Sequence, residues 1–319
     1  MTGREVRRFG EIIKNAKNIL LTTHLNPDGD GIGTGLALMR KFIKMGKKVD
    51  FINRDKMPSI YEFLPNSSKI KNMKNISGVW DAVILLECPD FGRNGNIIDY
   101  KKQAKTLINI DHHPDNDMYG DLRIVDSKAA AVGLQVYEIM KRLKWEIDKD
   151  IASCIYTAII TDTGSFRYSN TTPEVHMVAA ELLRAGADPE YIAFEVYATT
   201  KASTALLMKM LTSLKIQGKI GWSRLTQRMF RDTGAAESDT DNFINSIRSI
   251  KEVEIAILFK ETARDRVKAS LRSRNGHDVN KIAQKFGGGG HKHAAGCVIK
   301  SPIDTAEKLL LAEVRRQIK

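Results

Sequence analysis

Four apolar runs of strand length fall between Asn18 and Asp111: "NILLTT", "KKVDFIN", "DAVILLEC" and "KTLINID". They alternate with amphipathic stretches such as "TGLALMRKFIKMG". Runs this continuously apolar must be covered on both faces, which a parallel sheet with crossover helices achieves. The sequence therefore predicts an α/β chain whose N-terminal part is a parallel sheet with helices on both faces. Helical periodicity continues at "AAAVGLQVYEIMKRL", "KDIASCIYTAIITD" and "TPEVHMVAAELLRAG", with Gly186 as the stop of the last.

After "AGADPEYIAFEVYATTKAST" the rhythm changes. A helix is expected at "ALLMKMLTSLKI", strands at "KIGWSRLTQRMF", "VEIAILFKE" and "RVKASLRS", and helices near "TDNFINSIRSI" and "VNKIAQKF". The expected division is a first domain over residues 1–190, a linker over 191–205 and a smaller C-terminal α/β domain over 206–319. A chain of 319 residues is long enough for two cores.

With 42% hydrophobic and 28% charged residues the chain has an ordinary globular composition. The three cysteines, Cys88, Cys154 and Cys297, are far apart and form no CxxC pair, which argues against a disulfide framework or a cysteine zinc site. No apolar run reaches the roughly 18 residues of a membrane span, and the N-terminus lacks a signal-peptide core. A cytoplasmic protein without a membrane partner is expected. The formal charge of +12 favours an anionic partner, although most lysines are scattered and read as solvated surface. The stretches "AAAVGLQVYEIM" and "HMVAAELL" fit either core or the face of a homodimer.

Chemistry concentrates just beyond the apolar runs, where open α/β sheets collect functional groups. "ILLTTH" opens onto His24, Asp28 and Asp30, and "VILLECPD" delivers Glu87 and Asp90. "LINIDHH" delivers Asp111, His112 and His113, and "YTAIITD" ends on Asp162. Each cluster alone has a plain structural reading: Asp28 beside Pro27 and Gly29 suits a turn or a helix cap. Four such loops together are different. So many carboxylates with imidazoles would repel and take up protons unless a pair of divalent cations resolved the conflict. Carboxylate-rich donors favour two divalent cations of the Mn²⁺ or Mg²⁺ type, with Co²⁺ as an alternative. Two such ions are a standard solution for phosphoester hydrolysis. The alternating glycines Gly29, Gly31, Gly33 and Gly35 match neither G-x-G-x-x-G nor a P-loop, and instead suit a tightly packed helix start.

Further along, "FGGGGHKHAAGC" places Gly288, Gly289 and Gly290 beside His291. Unshielded backbone N–H groups there could approach an anion. On "KASLRSR", alternation puts Ser270, Arg272 and Arg274 on one strand face, suited to gripping a phosphate.

The ordered set "THLNPDGDGIG", "ECPDFGRNG", "IDHHPDN", "YTAIITDTGSFRYSNTT", "SLRSR" and "GGGGHKHAAGC" resembles the DHH phosphoesterase family with its DHHA1 substrate domain. The likeness spans nearly the whole chain. It is greatest to the short two-domain members, which act as oligoribonucleases on very short RNA and as phosphatases on 3′-phosphoadenosine 5′-phosphate (pAp). The resemblance implies that His24 and Asp28 bind one metal and that Asp30, His112 and Asp162 bind the other. A carboxylate from "ECPD" would bridge them. The family usually has Asp there, and counting back from Arg93 lands on Glu87, with Asp90 as the alternative. Asp111 would orient His112, His113 would face the phosphate, and Ser270, Arg272, the glycine run and His291 would hold the nucleotide.

The expected activity is thus two-metal hydrolysis, with Mn²⁺ as the leading cation, of short single-stranded RNA of about two to five nucleotides to nucleoside monophosphates, together with dephosphorylation of pAp. The alternatives are a linear or cyclic dinucleotide phosphodiesterase and a non-catalytic nucleotide-binding protein on the same fold. Only 7% of residues are aromatic, so a stacking platform for long single strands is not evident.

Overall fold

A computed structural model describes residues 1–240, 242–274 and 276–317; the side chain of His291 also lies outside the described part. The chain divides into two compact units, Met1–Ala198 and Thr199–Lys319.

The first unit contains α1 (Gly3–Asn15), β1 (Asn18–Thr23), α2 (Gly29–Lys44), β2 (Lys48–Asn53), β3 (Ile70–Asn72), β4 (Ala82–Leu86), α3 (Tyr100–Gln103), β5 (Leu107–Asp111) and β6 (Leu122–Val125). Four helices follow: α4 (Val132–Arg142), α5 (Lys149–Asp162), α6 (Pro173–Arg184) and α7 (Pro189–Tyr197). All five strand pairings are parallel, in the order β3-β2-β1-β4-β5-β6. Strands β4 and β5 are buried along their whole length, as their unbroken apolar character requires. The short edge strands β3 and β6 were not legible in the sequence.

Strand order reverses between β1 and β4, and their register pairs Thr23 with Leu86. The residues just after that pair, His24 and Glu87, are therefore brought side by side at the carboxyl edge, where an open α/β sheet leaves a crevice. On the next strand Leu86 pairs with Ile110, so Asp111 and the two histidines after it join the same edge.

Helix α2 is buried over its first eleven residues, Gly29 to Met39. Its glycines permit this. A methyl group at Gly33 would run into the Cys154 carbonyl of α5, and one at Gly29 would lie 2.5 Å from the Thr161 side chain. Close helix–helix approach thus carries Asp30 and Asp162 to the same place.

The second unit contains α8 (Lys201–Thr212), β7 (Lys215–Gln217), β8 (Ile220–Leu225), α9 (Gln227–Thr233), α10 (Phe243–Arg248), β9 (Ile255–Ala263), β10 (Arg266–Ser273), α11 (Val279–Gln284), β11 (Gly289–His291), β12 (Ala294–Ile299) and α12 (Ile303–Gln317). Its mixed sheet runs β11-β12-β10-β9-β8-β7, with β8 and β9 parallel and the other pairs antiparallel. One face packs Ile257, Phe259, Ala269 and Leu271 with Ile282, Leu310 and Val314 of α11 and α12. On the other, Ala256 and Leu258 pack with Leu206, Met210 and Ile247 of α8 and α10.

Three expectations need adjustment. The segment 191–205 is mostly helix, shared between α7 and α8, with 198–200 between them. "KIGWSRLTQRMF" is a strand only to Leu225, because the Thr226 hydroxyl accepts from the Met229 N–H and caps α9. The helix at "ALLMKMLTSLKI" ends at Thr212, and Lys215–Gln217 pairs as a strand with β8.

Candidate metal centre

His24 follows β1 directly. Its Nδ1 lies 2.7 Å from its neighbour Leu25's carbonyl oxygen, so that nitrogen carries the proton and Nε2 faces the crevice. His112 is fixed in the same way, with Nδ1 3.1 Å from the Ala129 carbonyl oxygen. The two Nε2 atoms face a shared carboxylate: His24 Nε2 is 3.6 Å from Glu87 Oε2, and His112 Nε2 is 3.6 Å from Glu87 Oε1.

Asp28 serves twice. One oxygen caps α2, accepting from the N–H groups of Asp30 (3.0 Å) and Gly31 (3.1 Å), while the other lies 3.8 Å from His24 Nε2. Cap and candidate ligand are thus the same side chain, so the turn reading and the functional reading of this loop do not compete. Asp30 is buried and accepts from the N–H groups of Val132 (2.6 Å) and Gly133 (2.8 Å) at the start of α4, and from the Thr34 hydroxyl (3.0 Å). Asp162, the last residue of α5, lies 3.7 Å from His112 Nε2. Asn170 secures that helix end, donating to the Asp162 and Ala130 carbonyls at 3.1 Å each.

The side chains fall into sets whose ligand atoms lie within 4.8 Å of one another: His24, Asp28 and Glu87; Asp30, His112 and Asp162; and Glu87, His112 and His113. Glu87 belongs to two of them. It adopts a left-handed backbone conformation (φ 55°), uncommon for a residue with a side chain, and is only 2% exposed. Its Oε2 is buried without a hydrogen-bond partner. Such an atom facing an imidazole beyond hydrogen-bond distance fits a cation, as does the donor set of carboxylate oxygens and imidazole nitrogens.

Electrostatics point the same way. Burial disfavours the His24 imidazolium, but Asp28 and Glu87 outweigh it and raise the pKa to about 11. His112 is likewise raised to about 10, against burial, by Glu87, Asp30 and Asp162. Burial pushes Asp162 up to about 7, opposed by His112 and reinforced by Glu87 and Asp28. Burial, Glu87 and Asp162 raise Asp30 well above the carboxylate range. Glu87 goes the other way, held below its usual value despite burial by His112 and His24. The cluster thus carries more negative charge than its own imidazoles comfortably balance, which is the condition a divalent cation relieves.

Asp90 stands apart. Its carboxylate accepts from the Arg93 N–H at 3.0 Å and caps a short turn over Phe91–Asn94, and it joins none of the ligand sets among the described residues. Asp111 also differs from expectation, because its partner is His113 and not His112. Asp111 Oδ1 lies 2.7 Å from His113 Nδ1, and Oδ2 accepts from Asn116 at 2.6 Å. Burial works against the Asp111 carboxylate, but His113 and Asn116 bring its pKa below the usual value. Asn116 was missed in the sequence, although it sits in the quoted "IDHHPDN". It also donates to Asn109 Oδ1 at 2.9 Å, within a polar network completed by Tyr119.

In the second unit, β10 pairs Arg272 with Ala256, Ser270 with Leu258 and Lys268 with Lys260 of β9. Ser270, Arg272, Lys268 and Lys260 line a cavity of about 220 Å³ with Thr240 and Asn242. Arg274 does not share this face: β10 ends at Ser273, and the Arg274 guanidinium donates to the carbonyls of Ile250 and Lys251. The glycine run is an ordered edge. Gly289 pairs with Gly296 and Gly290 with Ala295 of β12, and a methyl at Gly288 would overlap that strand. Ladder register places Ser270, Gly296 and Gly289 in one row and Arg272, Ala294 and His291 in another.

Residues 18–159 match the DHH family, N-terminal domain, and residues 222–319 match the DHHA1 domain. A protein of Thermus thermophilus named bifunctional oligoribonuclease and PAP phosphatase NrnA is 32% identical over 316 residues, covering 98% of this chain and 94% of that one. The protein of the same name from Bacillus subtilis is 28% identical over 303 residues, covering 92% of each. The crystal structure of an exopolyphosphatase-related protein from Bacteroides fragilis superposes with a TM-score of 0.93 at 25% identity, covering 99% of this chain and 96% of that one. With both domains matched and a relative of this likeness along nearly its whole length, the chain belongs to the DHH family of phosphoester hydrolases.

Proposed function

We propose that this protein is a two-metal phosphoesterase that degrades oligoribonucleotides of about two to five nucleotides to nucleoside monophosphates and dephosphorylates pAp. The observation that carries the reading is Glu87, whose two oxygens lie 3.6 Å from two imidazoles belonging to separate ligand sets. His24 and Asp28 would hold one cation, Asp30, His112 and Asp162 the other, and Glu87 both. Two divalent cations held there, with Mn²⁺ leading, supply an activated water and positive charge for the phosphate. The names of the T. thermophilus and B. subtilis relatives support both the oligoribonuclease and the phosphatase parts of the reading.

The chain's own groups have distinct tasks. Carbonyl bonds at Nδ1 of His24 and His112 keep each Nε2 aimed at the ligand sets. Asp111 holds the His113 ring, and a proton on His113 Nε2 would bond a phosphate oxygen. Arg272, with Ser270 and Lys268 on the same face, would grip a nucleotide phosphate through charge-assisted bonds.

The test is incubation with Mn²⁺ and, separately, a 5′-phosphorylated diribonucleotide, pAp and a longer single-stranded RNA, with Asp162→Asn as control. Conversion of the dinucleotide and pAp, lost in the control, is the expected outcome. Nucleotide binding without any product would instead establish a non-catalytic binding protein.

A further inference from the structure

The carboxylate of Glu87 is held by very little that is visible in its own segment. Its Oε2 has no hydrogen-bond partner, and neither does the Thr23 hydroxyl, yet both are buried. The two atoms meet over the first turn of α2, at Gly31. A methyl group there would lie 3.0 Å from Glu87 Oε2, closer than carbon and oxygen ordinarily approach, and would overlap the Thr23 hydroxyl outright. Gly31 has no backbone reason to be glycine. It lies inside α2, where its φ is not in the left-handed region and where glycine costs about 1 kcal/mol relative to alanine. What the glycine supplies is volume. It follows the aspartates of both ligand sets in sequence, one residue after Asp30 and three after Asp28, and its N–H is already used by the Asp28 cap.

We propose that Gly31 is a positioning residue for Glu87: the missing side chain leaves the space that lets a carboxylate as long as glutamate lie across both imidazoles. Aspartate at position 87 would retract the carboxylate by one carbon–carbon bond, roughly 1.5 Å. It would then no longer span His24 and His112, but neither would it meet a methyl group at 31. Positions 31 and 87 are thereby coupled, glycine going with glutamate and alanine with aspartate.

The inference rests on the metal reading above, and its test separates the two. Gly31→Ala and Glu87→Asp are combined in a cycle built on a Thr23→Ser background, whose hydroxyl can swing away from position 31. Mn²⁺ affinity by calorimetry and Mn–Mn coupling by electron paramagnetic resonance are read without substrate. Each single variant is expected to weaken Mn²⁺ binding about tenfold or more, and the double variant to bind within about threefold of Glu87→Asp alone, because the shorter carboxylate no longer meets the added methyl. Additive losses in the double variant, or unchanged affinity in Gly31→Ala, overturn the proposal. Should Gly31→Ala fail to fold, recovery of the melting temperature in the double variant supports the coupling, and an equally unfolded double variant overturns it. A background protein that binds no Mn²⁺ sinks the metal reading. The same cycle, followed by melting temperature alone, then decides whether positions 31 and 87 are coupled.

Discussion

Asp111 Oδ1 lies 2.7 Å from His113 Nδ1, and the other oxygen of the same carboxylate is held by Asn116 at 2.6 Å. The pair is fully buried at its acidic end, so the orientation of His113 depends on a group that never reaches the crevice itself. Asp111→Asn keeps the shape but replaces the anionic acceptor facing His113 Nδ1 with a neutral amide, so the charge-assisted bond that orients the ring is lost. Activity is expected to fall about 10- to 100-fold while Mn²⁺ stoichiometry stays at the parent value, measured by kcat and by metal titration of the same preparation. Loss of bound metal in this variant would show that Asp111 acts on the ligand sets instead.

Metal binding is expected to strengthen with pH. His24 and His112 sit at about 11 and about 10 in the ion-free site, so they are imidazolium at neutral pH and must lose protons to coordinate. The sign for the ion-free fold is opposite. Both values are raised above the unfolded 6.5, so the stabilisation from the pairing is complete below that pH and is lost as pH rises through 10 to 11. Calorimetry in two buffers of different ionisation heat should show proton release on Mn²⁺ binding near neutral pH, and an affinity that climbs from pH 6 to 8.

Glu87 and Asp90 should separate cleanly. Asp90→Ala removes a cap and is expected to cost about 0.5–2 kcal/mol of stability, with metal stoichiometry intact. Glu87→Gln should lower stability without metal, because the carboxylate pairs with His24 and His112 and is held below its usual value, and should abolish coupled binding of the two ions. Metal content by mass spectrometry distinguishes the two variants, and thermal melts check both losses of stability.

Gly33→Ala tests the packing that brings α2 onto α5. The added methyl meets the Cys154 carbonyl oxygen, a backbone atom that cannot swing away. A loss of about 1–3 kcal/mol is expected, read as a lower melting temperature, together with weaker metal binding because Asp30 and Asp162 ride on those two helices.

Arg272→Ala should raise KM with little change in kcat. Loss of a charge-assisted bond to phosphate corresponds to about 1.5–3 kcal/mol, on the order of 10- to 100-fold in KM. An equal fall in kcat would place Arg272 at the reacting phosphate.

Much of this molecule was legible locally. Runs such as "DAVILLEC" and "RVKASLRS" announced their strands because burial leaves a period of two or an unbroken apolar stretch in adjacent residues. The four clusters were visible because each follows its run directly. What the local pattern does not encode is partnership across distant segments. Nothing in "ECPD" says which carboxylate turns inward. The parallel register of Thr23 with Leu86 and of Leu86 with Ile110 sets Glu87 between His24 and His112, and leaves Asp90 to cap its own turn. The choice of His113 by Asp111, the service of Asn116, and the empty volume at Gly31 likewise come from strands and helices far apart in the chain. Sequence determined which segments could form and which residue types they would carry to their ends. The tertiary structure decided which of those residues meet, because strand order and helix approach are settled by packing summed over the whole core.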